Sequence, residues 1–194
     1  MYTVIGGIQS RAFRVLWMLE EIGQKYTHKP VKPRDPLVMP HNPSGKIPVL
    51  LDGTEPISDS TAIITYLADK HGALTYPAGT LERARQDAIT HMVLDELDAV
   101  LWMAARHSFV LPEEQRIPEV KQSLKWEFEQ NTARLADMLN GPYIAGDKMT
   151  IADIVTTHCL NWAHSAKFAV EDERLIAYTR KMRAREAFKS VTGK

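Results

Sequence analysis

The chain has 194 residues, 44% hydrophobic and 25% charged, the composition of an ordinary globular protein with room for one large or two small domains. Its 24 basic and 24 acidic residues cancel, which argues against a nucleic-acid or anionic-membrane partner, since either needs a basic excess. A single cysteine, Cys159, excludes an intramolecular disulfide; with no signal-like segment at the start and no membrane-length apolar run, a cytoplasmic protein is expected.

Tyr2 to Ile5 is a short strand candidate, stopped by Gly6-Gly7. From Arg11 to Ile22 the apolar residues Phe13, Val15, Leu16, Trp17, Leu19 and Ile22 recur at helical spacing, and Gly23 closes the helix. Tyr26 to Lys32 reads as a weakly apolar second strand. Pro33, Pro36, Pro40 and Pro43 make the next segment irregular, with room for one helical turn, because proline has no N–H to donate and obstructs the turn before it. Val49–Leu51 and Glu55–Ile57 pair as a hairpin across Asp52-Gly53, where glycine accepts a positive φ. Ala62, Ile63, Tyr66 and Leu67 line a helix that ends near Gly72. Counting the single turn as a helix, the order is β-α-β-α-β-β-α.

Pro77 to Thr80 is a linker, and strand signals stop after it. A long helical pattern runs from Leu81 to about Phe109 and is broken by Pro112 and Pro118. Glu119 to Leu139 is a second helix, Thr150 to about Lys167 a third, and Arg174 to Phe188 holds one or two more. The expected organisation is an α/β domain over residues 1–76 and an all-helical domain over residues 82–194. In G-D-K-M-T-I-A-D-I, Gly146 to Ile154, Thr150 and Asp153 have capping-box spacing, with Met149 and Ile154 as the hydrophobic staple. Their role is in folding, not in chemistry.

Two segments of the first half carry chemistry. N-P-S-G-K-I-P-V-L, Asn42 to Leu50, is a proline-bracketed loop that runs into a strand. Asp59 and Ser60 open the next helix, where unpaired backbone N–H groups and a partial positive charge favour an anion. These segments resemble the thioredoxin-like, glutathione-binding domain of the glutathione S-transferases. The capping-box segment resembles the start of the central helix in that family's helical domain, so the resemblance covers essentially the whole chain. It implies that Pro48 is cis, that the backbone of Ile47 pairs with the cysteinyl part of glutathione, and that Asp59 and Ser60 hold its γ-glutamyl end. The family more often has Glu or Gln where this chain has the shorter Asp59. It also implies a homodimer and an electrophile pocket between the domains. Here that pocket would draw on Ile8 and Gln9 after the first strand, and on Trp102, Met103 and Arg106 of the long helix.

By residue type alone Ser10 is a helix N-cap, for which serine is among the best residues. Several classes of the family place a catalytic serine four residues before an arginine of the first helix, and Ser10 with Arg14 keeps that spacing. The position used by tyrosine classes falls near Gly6, and Ser10 stands where other classes have cysteine. The resemblance therefore makes Ser10 the hydrogen-bond donor to the glutathione thiol. Arg11, His41 and Lys46 are candidates for the glycyl carboxylate, with plain solvated surface as the alternative for each. Pro48 as a strand-opening proline, and Asp59 with Ser60 as helix caps, are structural roles compatible with binding. Trp102 and Met103 equally suit a core. His91, His107, His158 and His164 show no i, i+4 ligand pair, Cys159 reads as a small buried hydrophobe, and no metal is expected.

The resulting expectation is a serine-type glutathione transferase that adds glutathione sulfur to a small hydrophobic electrophile. Glutathione-dependent isomerisation or dehalogenation would use the same thiolate. A non-catalytic glutathione-binding or ligand-binding protein would keep the same fold. Thiol–disulfide exchange is disfavoured by the missing cysteine near residue 10.

Overall fold

The computed structural model describes residues 1–193 and divides into two units. One comprises Met1–Thr80 and the C-terminal segment from Arg183; the other is Leu81–Met182. In the first, β1 (Tyr2–Ile5) and β2 (Tyr26–Lys29) run parallel across α1 (Ala12–Glu21). β3 (Val49–Asp52) and β4 (Glu55–Ser58) form the expected hairpin, followed by α2 (Ser60–His71). β3 also pairs antiparallel with β1, giving the mixed order β2-β1-β3-β4. This is the thioredoxin-like arrangement.

The register sets Ile5 opposite Val49 and Val4 opposite Leu50. Successive strand residues face opposite sides, so Ile5, Val49 and Leu51 share a face, which Val31, Val38 and Ile47 cover. Val4 and Leu50 lie on the other face and are fully buried. Residues Ala12 through Leu19 of α1 are all buried, so α1 is a core helix. It ends on a glycine C-cap: Gly23, at φ +64°, donates to the Glu20 carbonyl at 3.2 Å, and Gln24 donates to Leu19 at 2.9 Å.

The helical turn expected between β2 and β3 is reduced to isolated bonds. Met39 donates to the Asp35 carbonyl and Asn42 to that of Val38, but Pro36, Pro40 and Pro43 prevent continuation.

In the second unit, α3 (Leu81–Val93) and α4 (Ala99–Ala105) are joined without a break by a π-helical turn, Leu94–Asp98. A second π-turn, Arg106–Val110, extends α4. The long helix expected from Leu81 is thus continuous, with two widened turns that each accommodate an extra residue. α5 (Val120–Met138), α6 (Ile151–Ala166) and α7 (Glu173–Arg183) follow, and α8 (Glu186–Thr192) completes the chain's elements. Among the described residues no helix is long and apolar enough to cross a membrane.

Residues from Arg183 onward, expected within the helical domain, pack instead with the first unit. The reason is aromatic burial. The ring of Phe188 on α8 meets both Phe13 and Trp17 of α1 edge-on at 5.0 Å. Burying such a side chain contributes about 1.5–3 kcal/mol, and Arg185 adds an ion pair to Glu21 at 2.6 Å.

Asp153 organises the start of α6. Its Oδ2 accepts the Thr150 N–H at 2.8 Å, closing the capping box, while Oδ1 accepts the Ile144 N–H and the Tyr178 hydroxyl, each at 2.9 Å. One carboxylate thereby ties the preceding loop and α7 to the central helix. Burial pushes its pKa up, and the donors from Ile144, Thr150 and Tyr178 oppose that. Burial and the Asp153 charge raise the Tyr178 hydroxyl well above its usual value, so it remains a donor.

Every partner of Asp153 donates, so the site needs an acceptor on both oxygens. Asp153→Asn would turn an N–H toward one of those donors. It should lose about 1.5–3 kcal/mol of stability, as a lower urea midpoint with an unchanged slope. A wild-type midpoint would refute this role.

Candidate functional site

Gly6 ends β1 at a crowded crossing. Its φ is +142°, and a Cβ built there would lie 3.0 Å from the Cβ of Ala12 and 3.1 Å from that of Ile47. Only glycine fits. The first residue of α1 and the residue before Pro48 are therefore packed on the same backbone atom. His28 Nε2 lies 2.8 Å from the Gly6 carbonyl, which can only accept, so the ring carries its proton there.

Between β1 and α1 the chain turns, and Ser10 lies in that turn, half-buried. Its Oγ accepts the Ala12 N–H at 3.1 Å and donates to the Gly7 carbonyl at 2.7 Å. The N-cap of α1 falls on Arg11, which makes no side-chain capping bond, so Ser10 is not the cap that residue type suggests; it holds the first N–H of the helix from the turn before it.

The Ile47–Pro48 peptide is cis. The loop before it is braced by Asn42, whose Nδ2 donates to the Lys46 carbonyl at 2.9 Å and whose Oδ1 accepts from the Ser44 hydroxyl at 2.8 Å. Gly45 is buried at φ +70°, and a Cβ there would strike the Arg34 side chain at 2.7 Å. Among the described residues, the backbone N–H and C=O of Ile47 have no hydrogen-bond partner. They sit at the open end of β3, as a strand's unpaired edge would.

At α2, Asp59 holds the uncommon backbone angles φ +70°, ψ 123° for a non-glycine residue. Such a conformation costs of order 1–3 kcal/mol and persists only where surrounding contacts enforce it. Here its Oδ1 accepts the N–H groups of Thr61 and Ala62, at 2.9 and 3.0 Å, while its carbonyl accepts that of Ile63. Among the described residues this leaves two groups at the helix start with no protein partner: the Ser60 N–H and the exposed Asp59 Oδ2. One is a donor at the positive end of a helix; the other bears negative charge. Together they complement the carboxylate and ammonium of an amino-acid head group.

Arg14 links the two helix starts. It is fully buried, and its Nη1 donates to the Ser60 hydroxyl at 3.3 Å. In sequence terms Arg14 stood out only by its spacing from Ser10. A charged residue inside the apolar run A-F-R-V-L-W was the available signal.

The remaining candidates are less constrained. Arg11 and His41 are half-buried and Lys46 is exposed. Ile8 and Gln9 are exposed in the turn before α1. Trp102 and Met103 on α4, with Arg106 on the next turn, are half-buried in the second unit. That unit has a cleft of about 570 Å³ lined by Ala104, His107, Ser108, Arg116 and Lys121 among others. None of the three expected residues lines it; it opens on another side of the same helix.

The sequence matches the family profile described as Glutathione S-transferase, N-terminal domain, over residues 10–70, and that described as Glutathione S-transferase, C-terminal domain, over residues 97–186. Glutathione S-transferase 4 of Zea mays is 30% identical over 162 residues, 76% of this chain and 71% of that protein. Among solved structures, a theta class glutathione S-transferase from Xanthomonas axonopodis pv. citri with glutathione bound is similar at a TM-score of 0.80 and 24% identity, covering 100% of this chain and 97% of that one. A beta-etherase from a Sphingobium species is similar at a TM-score of 0.86 and 19% identity, covering 99% and 98%. The two structures share the fold with this chain.

If the Arg14–Ser60 bond ties α1 to α2, the two residues should couple. A double-mutant cycle with Arg14→Met and Ser60→Ala, read by denaturant unfolding, should give an interaction energy of roughly 0.5–3 kcal/mol. Strict additivity would mean that the two side chains contribute independently.

Proposed function

The chain belongs to the glutathione S-transferase family, and on that premise we propose that it binds glutathione at the Ile47–Pro48 turn and the start of α2, ionises its thiol beside Ser10, and transfers the sulfur to a small hydrophobic electrophile. Family and fold support glutathione conjugation in general. The observation that carries the finer reading is the set of polar groups without protein partners in one unit: the Ile47 backbone, the Ser60 N–H and the Asp59 carboxylate. A γ-glutamyl peptide has a strand-like amide for the first, an α-carboxylate for the second and an α-ammonium for the third.

The chemical demand is modest. A free thiol has a pKa of about 8.5, so only a few per cent is thiolate at pH 7. A depression of about two units, worth roughly 2.7 kcal/mol, makes the thiolate the majority form. In this reading Ser10 turns its hydroxyl proton from the Gly7 carbonyl to the sulfur while continuing to accept the Ala12 N–H. That accepted bond polarises the hydroxyl and makes it a better donor. The start of α1 adds partial positive charge. Ser10 remains a donor throughout, and the glutathione sulfur is the nucleophile.

Arg11, His41 and Lys46 are the proposed partners of the glycyl carboxylate. Ile8, Gln9, Trp102, Met103 and Arg106 are the proposed contacts of the electrophile. A homodimer and a cytoplasmic setting, with no metal required, belong to the same proposal. An aryl-halide conjugation assay beside glutathione-affinity chromatography tests it. Retention with turnover supports a transferase. Retention without turnover favours a binding protein, and no retention contradicts the site.

Asp59→Asn separates binding from capping, because the amide oxygen still accepts from Thr61 and Ala62 while the charge is lost. Calorimetry should show glutathione affinity reduced by about 1.5–3 kcal/mol, roughly tenfold or more, with little change in thermal midpoint. Unchanged affinity would remove Asp59 from the site.

A further inference from the structure

We propose that the helical unit carries a metal-binding centre formed by Asp98, His158 and Cys159, with zinc(II) as the ion that its donors suit. His158 and Cys159 are consecutive on α6, and Asp98 closes the π-turn that precedes α4. Cys159 Sγ lies 3.8 Å from Asp98 Oδ2, and one donor atom from each of the three residues lies within 4.8 Å of the other two. Zinc binds nitrogen and oxygen at about 2.0–2.2 Å and thiolate sulfur at about 2.3 Å, which spaces tetrahedral donors roughly 3.3–3.6 Å apart. The sulfur–carboxylate pair is almost at that spacing, and the imidazole donor, within 4.8 Å of both, would have to move closer on binding.

The donor chemistry narrows the ion. Thiolate with imidazole and carboxylate suits zinc(II) or cobalt(II), whereas magnesium and calcium prefer all-oxygen sets. Charge favours the same choice. Cys159 is fully buried and Asp98 only 6% exposed. A dipositive ion over a thiolate and a carboxylate makes a formally neutral centre, which a low-dielectric interior tolerates far better than an unpaired charge. Binding replaces the thiol S–H bond by a sulfur–metal bond and releases the proton to solvent. His158 is partly exposed, and in the proposed centre a water would complete the fourth position. The π-turn contributes by placing Leu97 and Asp98, neighbours in sequence, both inside. The centre escapes sequence spacing because Asp98 lies 61 residues from Cys159.

The test uses the tag-free full chain, stripped with chelator under reducing conditions and titrated with cobalt(II) chloride. A stoichiometric sulfur-to-cobalt charge-transfer band is expected, displaced by zinc(II). Cys159→Ala should lose the band, and Asp98→Asn should weaken cobalt affinity at least tenfold. Zinc(II) should raise the thermal midpoint of the wild type and not that of Cys159→Ala, since a ligand that binds only the folded state stabilises it. If Cys159→Ala does not fold, His158→Ala at the half-exposed position serves as the variant, with the same expected weakening. No charge-transfer band in the wild type would overturn the centre, leaving an ordinary thiol–carboxylate hydrogen bond. A band or a zinc-induced rise retained in the variants would overturn it equally.

Discussion

No side chain fits at Gly6, and the geometry of the first unit depends on that. Strand β1 ends against the first residue of α1 and against Ile47, so closely that an added carbon would lie only about 3 Å from each. Because the crossing is so tight, the turn bearing Ser10 and the turn bearing the cis peptide are held on either side of one backbone atom. Arg14 adds the third member by reaching from α1 to the first residue of α2 inside the core. A guanidinium buried there must keep its polar contacts, since an unsatisfied buried charge is costly. Two helix starts and a strand opening therefore converge, each presenting backbone polarity, while apolar packing behind them fixes their positions.

The parts of this arrangement that were legible in the sequence are local. Asp52-Gly53 set the hairpin, Thr150 with Asp153 set the cap of α6, and Gly23 set the end of α1, because each signal and its consequence lie within a few residues. The cis bond at Pro48 was implied by family resemblance rather than by proline itself. What stayed hidden depends on distant partners. Arg14 finds Ser60 46 positions away. α8 joins α1 because Phe188 completes an aromatic cluster with Phe13 and Trp17, and nothing in the spacing of the last helices indicates it. The positive φ of Asp59 follows from a residue that must cap α2 while ending the hairpin. The π-turns leave no mark in a pattern read at 3.6 residues per turn, yet one of them sets the position of Asp98.

The same division explains why glutathione is easier to name than its reaction partner. Glutathione has charged ends and a peptide edge, and the groups proposed to meet them are backbone groups and charges whose chemistry can be read residue by residue. The contacts proposed for the electrophile are largely apolar, and apolar area is satisfied by many small molecules. Solved proteins of this fold include a transferase with glutathione bound and a beta-etherase. A shared scaffold can thus position a nucleophile without specifying what it attacks.

The most direct measurement is an ultraviolet titration of the thiolate of bound glutathione, in the wild type and in Ser10→Ala, with Ser10→Thr as the variant that keeps a hydroxyl at the start of α1. If Ser10 donates to the sulfur, the wild-type thiol titrates about two units below its free value of about 8.5. Ser10→Ala then returns it toward that value, and Ser10→Thr lies near the wild type. The same apparent pKa in wild type and Ser10→Ala would contradict this, and would leave ionisation to the backbone N–H groups at the start of α1.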